Sequence, residues 1–547
     1  MIHSEYTKAR FHMCFWLAIT AIVLMMLSSL FFQRPIGATV RVWLTTADGT
    51  NKLTLQPGTH FSSDSSSLIT TIDIDEQQRL QQIDGFGAAM TDTSAWLLAM
   101  KMDKEQRDRL MQALFDPING LGISFVRIPM GSSDFTASGM YSYDDIAPNQ
   151  KDPLLKGFST AHDTAYIIPL LKQALQLNPD VRYMATPWSP PAWMKTNDSL
   201  LGTYQKGRGY LTASAYIPFA KYFVKFIQAY KESGIPIYAI TPQNEPFSPV
   251  ETYPGMSFSA LDETSFIKNN LGPALKKADL STRILIYDQN WDQPGYPIKV
   301  LSDPTAQPYV AGTAWHCYSG DPSIMTKIHN AYPLKDMYVT ECSTGRTGIA
   351  PLSAIDLLLR SSQNWAKAVL LWNIALDTSG GPKIGKGCDN CTGLIVIDPS
   401  TGHYTYTENS YQLGHLSKFV APGAYRIAST TNTASFPYSS PLEEVAFKNP
   451  DGSKVVVAYN NSRSRDVFKV RWNNAQSFVY TLPSYGIVTF KWTGNLLSPL
   501  ITTIWVHIGN MALFRQICGE KKHSKGLQAR RGCDRRAVRL SVIVTSD

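Results

Sequence analysis

The sequence predicts an α/β chain built around a (β/α)8 (TIM) barrel, with a side β-sandwich domain formed by both flanks of the barrel. Three observations predict it. Short apolar runs alternate with amphipathic helical stretches through the middle of the chain, the pattern of a parallel sheet. The flanking segments instead alternate apolar and polar residues with period two, as half-buried strands do. Polar and aromatic residues gather just after the central apolar runs, and in a barrel those strand ends form the active face.

The elements follow in order. Lys8 and Arg10 precede an uncharged run from Met13 to Phe32, close to the roughly 20 residues that span a bilayer. Residues 1–38 therefore read as a signal peptide or an N-terminal membrane anchor. Ile36-Gly37-Ala38 offers only a weak small-residue cleavage site, so both forms stay open. In either form the body is exported, and residues 13–32 are the candidate for membrane association. Residues 39–81 hold the N-terminal strands of the sandwich, at 40–45 and 70–75.

The barrel is expected over residues 82–400. Seven strands are read at 125–129, 181–186, 237–240, 284–287, 313–316, 337–340 and 368–372. An eighth is expected near Gly85-Phe86-Gly87. Residues 165–177 and 215–231 carry the clearest helical spacing. Residues 401–493 supply the C-terminal part of the sandwich, with strands at 444–447, 454–459, 467–472 and 487–492 and a hairpin-type turn at Asp451-Gly452. Residues 494–547 read as a basic tail, a poorly ordered extension; its cationic cluster lacks the interleaved aromatics of a nucleic-acid arm.

Charge and cysteines narrow the function class. The chain has 547 residues with 51 basic and 43 acidic side chains. Nine of the basic and three of the acidic ones lie in residues 495–547, leaving a nearly neutral body of 42 and 40. That balance argues against an electrostatic nucleic-acid binder. Seven cysteines are too few for a disulfide scaffold. Cys388 and Cys391 form a C-x-x-C without the second pair that a zinc ribbon needs. Flanked by Gly387 and Gly393, they read as a local structural disulfide in an exported chain.

The chemistry sits in the strand ends. The fourth strand leads into Gln243-Asn244-Glu245-Pro246 and the seventh into Glu341-Cys342-Ser343. The third leads into Pro187-Trp188-Ser189, the sixth into His316-Cys317-Tyr318, and the eighth into Trp372-Asn373. Two glutamates at one barrel mouth suit glycoside hydrolysis: the leaving oxygen must be protonated while a carboxylate faces the oxocarbenium-like transition state. Flat tryptophan faces at the same mouth suit the apolar faces of a sugar ring.

At these residues the chain resembles glycoside hydrolase family 30, which contains glucosylceramidases and endo-β-1,6-glucanases. The resemblance rests on residues 85–92, the Trp188 segment, Asn244-Glu245-Pro246, Glu341-Cys342-Ser343, and Trp372-Asn373 with Gly380-Gly381-Pro382. It covers residues 40–493 and implies a (β/α)8 barrel with a side sandwich. It also implies Glu245 as general acid/base and Glu341 as nucleophile of a retaining mechanism. Asn244 would bond the sugar 2-hydroxyl. Asp92, Trp188 and Trp372 would hold the sugar, and His316 and Tyr318 would surround the nucleophile. No metal or organic cofactor is implied.

Asp92, after Thr91, also suits a helix cap. Asp134 fits a sugar contact or a turn former. The first reading is a glucosylceramidase-type β-glucosidase acting on β-glucosides, with an endo-β-1,6-glucanase as its alternative. A non-catalytic carbohydrate-binding protein on the same fold is the rival from another class. The C-x-x-C loop departs from the animal glucosylceramidase pattern and weighs against a lipid-specific assignment. A metal hydrolase and a serine hydrolase fit poorly, because H-x-H, H-E-x-x-H and G-x-S-x-G are all absent.

Overall fold

The computed structural model describes residues 38–64, 69–205, 208–248, 250–344, 353–432 and 441–494. The expected export segment at 1–38, save Ala38, and the basic tail beyond Gly494 lie outside the described residues. Among the described residues no helix is long and apolar enough to cross a membrane.

Eight parallel strands close into a barrel: β1 (Gly85–Ala89), β2 (Phe125–Pro129), β3 (Arg182–Thr186), β4 (Ile237–Ile240), β5 (Arg283–Asn290), β6 (Val310–His316), β7 (Asp336–Glu341) and β8 (Ala366–Leu371). Their burial is nearly continuous. Strands covered on one face by helices and on the other by the barrel interior read as unbroken apolar runs for this reason. Phe125, Met184, Leu285 and Tyr338 fill the interior between the strands. Gly87 and Gly312 let neighbouring strands approach: an added Cβ would lie 1.9 Å from the carbonyl oxygen of Phe125 and 2.2 Å from that of Asp336.

The helices bury one stripe each. Ile167–Leu177 packs Leu170, Leu171 and Ala174 inward, and Tyr216–Glu232 packs Phe219, Phe223, Phe226 and Tyr230. The helix Glu408–Ser417 also packs against the barrel through Leu413 and Leu416, although it lies beyond residue 400.

The flanks meet in one ten-stranded sheet. Thr39–Thr45 pairs with Ile487–Trp492, and the long strand Thr70–Gln82 lies between Tyr425–Asn432 and Asp466–Trp472. Phe61, Trp472, Phe478 and Trp492 pack ring to ring across it. The strands Thr54–His60, Tyr425–Asn432 and Gln476–Leu482 were not expected. Thr54–His60 is polar, exposed and broken by Pro57 and Gly58, so it lacks the period-two signal.

Candidate active site

Glu245 follows β4 and Glu341 ends β7, so both carboxylates project at the C-terminal mouth. One oxygen of each glutamate and a ring nitrogen of His316 lie within 4.8 Å of one another. Retaining glycosidases hold their two carboxyl groups roughly 5 Å apart, whereas inverting ones leave room for a water. The observed spacing is the narrow one.

A buried charge network fixes this pair. Arg127, in the middle of β2, is fully buried. Its Nη1 donates to Glu341 Oε2 at 2.6 Å, and its Nη2 donates to Asp288 Oδ2 and Asn244 Oδ1, both at 2.8 Å. Asp288, in β5, also accepts from Thr241 Oγ1 at 2.7 Å and Thr340 Oγ1 at 2.6 Å. Burial opposes its charge, but Arg127 and then His316 hold its carboxyl well below the usual carboxylate range. His316 bridges: Nδ1 lies 3.2 Å from Glu245 Oε1 and Nε2 lies 3.1 Å from Asp288 Oδ1. Burial disfavours a charge on His316, yet Glu341 and the bonds to Asp288 and Glu245 lift it to about 9. The ring is therefore a cation at neutral pH, donating from both nitrogens.

Tyr318 Oη donates to Glu341 Oε1 at 2.9 Å. Burial raises the Glu341 carboxyl, and the Glu245 charge adds to this; His316, Arg127 and Tyr318 pull the other way. The backbone takes part as well. Glu245, Tyr287 and Asp288 adopt left-handed φ of 43°, 82° and 54°. Such values in non-glycine residues persist where surroundings hold them, and here the Glu245 N–H donates to the Asp288 carbonyl at 3.1 Å.

Trp188 and Trp372 stack with centroids 5.3 Å apart, and the Arg127 guanidinium carbon lies 4.8 Å from the first ring and 5.6 Å from the second. Phe135 meets Trp372 edge to face. Cys388 and Cys391 are joined by a disulfide, and their loop packs on this aromatic cluster. The same loop covers Asp134: Ile384 N–H donates to the Asp134 carbonyl at 2.8 Å, and Cys388 N–H reaches Asp134 Oδ2 at 3.4 Å. Burial, then the charge of Glu341, pushes the Asp134 carboxyl up to about 7.

Asp92 does not join this group. Its Oδ1 bonds His162 Nε2 at 2.8 Å and the Tyr166 hydroxyl, and its Oδ2 accepts from Thr136 Oγ1 at 2.9 Å and Ala137 N–H at 2.7 Å. With four partners and almost no exposure, it anchors the loop after β2. Asp134, by contrast, feels the charges of both glutamates.

The structure thus brings together Glu245, Glu341, Asn244, His316, Tyr318, Trp188 and Trp372. Sequence reasoning missed Arg127, Asp288 and a second disulfide, Cys317–Cys342. A lone arginine inside the apolar run Phe-Val-Arg-Ile-Pro and an aspartate closing Arg-Ile-Leu-Ile-Tyr were the available signals. Glu245, His316 and Glu341 are the one His/Cys/carboxylate cluster among the described residues compact enough for a metal ion. A guanidinium bonded to Glu341 and a cationic His316 make it a poor site for a further cation.

Residues 83–420 match the glycosyl hydrolase family 30 TIM-barrel domain and residues 423–490 the glycosyl hydrolase family 30 beta sandwich domain. An endo-1,6-beta-D-glucanase of Neurospora crassa is 37% identical over 430 residues, 77% of this chain and 88% of that one. The lysosomal acid glucosylceramidase of Mus musculus is 32% identical over 445 residues, 76% and 82% of the two chains. A solved endo-beta-1,6-glucanase superposes with a TM-score of 0.75 at 32% identity, covering 84% of this chain and all of the other. The chain belongs to glycosyl hydrolase family 30 and is a retaining glycoside hydrolase.

Proposed function

We propose that the protein is an exported endo-β-1,6-glucanase. The carrying observation is the higher identity to an endo-1,6-beta-D-glucanase, 37%, than to a lysosomal glucosylceramidase, 32%, over similar lengths. This reverses the order expected from the sequence, in which the glucosylceramidase reading came first. Exposed rings near the mouth support an extended sugar substrate. Phe247, two residues after Glu245, is half exposed, and Tyr204 is mostly exposed. Two disulfides support an oxidising destination.

The mechanism follows from the contacts. Glu341 attacks the anomeric carbon while Glu245 gives its proton to the departing glycosidic oxygen. A covalent glycosyl-enzyme results, with the configuration inverted once. Glu245 then takes a proton from water, which attacks the same carbon and restores the configuration. Once Glu245 has lost its proton, its new charge sits 3.2 Å from the His316 cation. Arg127 occupies Asn244 Oδ1, so the Asn244 amide N–H groups are the ones turned toward a sugar 2-hydroxyl. Trp188 and Trp372 form an apolar wall for the ring, and Asp134 accepts from its hydroxyls.

The test is a product time course of the full chain on a linear β-1,6-glucan and, separately, on glucosylceramide. Short β-1,6-oligosaccharides from the polymer support the reading. Glucose plus ceramide, with the polymer untouched, would overturn it in favour of a glucosylceramidase.

A further inference from the structure

The two strands that carry His316 and Glu341 lose their regular pairing just where these residues sit. Gly312 through Trp315 pair in step with Asp336 through Val339. The register then slips, and His316 pairs with Glu341, not Thr340. The extra residue turns the Thr340 hydroxyl onto Asp288 and the Trp315 carbonyl. Bulges of this kind re-aim a side chain and interrupt the ladder, so regular backbone hydrogen bonds do not hold this end of the pair. One residue further along each strand stand Cys317 and Cys342, both fully buried and joined by a disulfide. Side chains alternate along a strand, which fits His316, Tyr318 and Glu341 facing the site while the two cysteines face the helix layer. The crosslink therefore lies directly behind the contacts His316–Glu245 and Tyr318–Glu341.

We propose that the Cys317–Cys342 disulfide is a positioning bond for catalysis: it holds the slipped ends of β6 and β7 so that Glu341 stays against Tyr318 and His316. The inference rests on the reading of Glu341 as the nucleophile. It makes full activity dependent on oxidation. A dithiol that reduces the bond passes two electrons and two protons to it, leaves two thiols, and itself becomes a cyclic disulfide. The Cys388–Cys391 disulfide lies elsewhere, on the aromatic cluster beside Trp188, and its loss leaves this pair of strand ends untouched.

The test uses the full chain. Alkylation without reductant, followed by peptide mapping, is expected to recover a peptide linked through Cys317 and Cys342; two alkylated thiols would overturn the proposal. Two double variants follow, Cys317→Ala with Cys342→Ala, and Cys317→Val with Cys342→Ala, the second refilling the buried space without the bond. Active sites are counted by labelling with a slow 2-fluoro-β-glucoside. For both variants, kcat per labelled site on an aryl β-glucoside is expected to fall tenfold or more, with KM within threefold. The acid limb of the kcat/KM profile is expected to move, because the contacts that tune Glu341 have loosened. Wild-type kcat and pH profile in the valine variant would reduce the disulfide to packing and overturn the proposal. Failure of both variants to fold would make it a folding requirement and overturn it as well. A wild type in which the label reaches a residue other than Glu341 defeats the underlying reading instead, and the positioning role with it.

Discussion

Replacing Arg127 with methionine is the sharpest test of the charge network. The guanidinium is fully buried and bonds Glu341, Asp288 and Asn244 at 2.6–2.8 Å. Arg127 and His316 bring two positive charges to a group in which Asp288 and Glu341 bring two negative ones. Methionine keeps most of the volume and leaves one negative charge in excess. Removing one partner of a buried ion pair costs about 3–5 kcal/mol, and two carboxylates each lose their guanidinium partner here, so the upper part of that range applies. For a chain of this size the melting temperature should drop by roughly 4–5 °C. The same substitution removes a preorganised donor from Glu341, the proposed nucleophile, a loss worth roughly 10²–10³ in kcat. Adding Asp288→Asn removes the excess charge, so the double variant should regain about half of the lost stability and none of the activity. Calorimetry and kcat per labelled site measure both. A single variant that melts within about 2 °C of wild type, or keeps kcat within tenfold, would refute the network as described.

Three further outcomes are expected. Glu341→Ala should lose roughly 10³-fold or more in kcat, and azide should restore turnover of an aryl β-glucoside to the inverted glycosyl azide; robust activity without azide would reject the nucleophile. His316 is raised to about 9 from its ordinary value of 6.5, so the folded state keeps a proton that the unfolded state releases. Its contribution, on the order of 3 kcal/mol, is complete below pH 6.5 and lost as pH rises through 9. Burial of Lys195 lowers its pKa to about 7, which gives the opposite slope above that pH. The wild-type melting curve therefore conceals both, and the difference between wild type and His316→Gln from pH 6 to 10 is the readable quantity. Lys195 itself donates to Ser189 Oγ and to the carbonyls of Leu200, Leu201 and Gly255. Lys195→Met orphans those carbonyls, for a net loss of about 2–4 kcal/mol, and should speed amide exchange across 196–205 and 250–258; unchanged exchange there would reject its role in tying the two rim loops together.

The barrel strands were legible because a strand buried on both faces needs an unbroken apolar run, and each such run was followed by polar residues at the mouth. The sandwich was half legible. Residues 40–45 and 487–492 alternate, whereas the exposed strand Thr54–His60 has no buried face to mark it. In the site, the two glutamates were legible through their joint placement with aromatic residues at the strand ends, and their separate roles came only from the resemblance to the family. Arg127 could not, because a cation in an apolar strand announces nothing until its three partners are in place. Asp92 and Asp134 stand in similar polar contexts, and what separates them is contact. Four donors surround the first, while the second lies under the disulfide loop in the field of the two glutamates. Cys317 and Cys342 each adjoin a catalytic-strand residue, but 25 positions part them in sequence, and only the register of β6 on β7 brings them together.

In the mechanism proposed above, the arrangement of charges lets one small pocket serve two opposite steps. Before attack, Glu341 must be anionic although burial opposes this, and two cations, Arg127 and His316, stand beside it. When the glycosyl ester forms, that anion disappears and Glu245 becomes the carboxylate in its place. His316 touches Glu245 and lies 3.9 Å from Glu341, so the same cation faces whichever glutamate is charged, with no movement of protein groups. Asp288 holds the imidazolium from the far side at 3.1 Å and keeps it charged throughout. Asp134 feels both glutamates, Glu341 more than Glu245, so passing the charge from the first to the second eases the repulsion on its carboxyl without removing it.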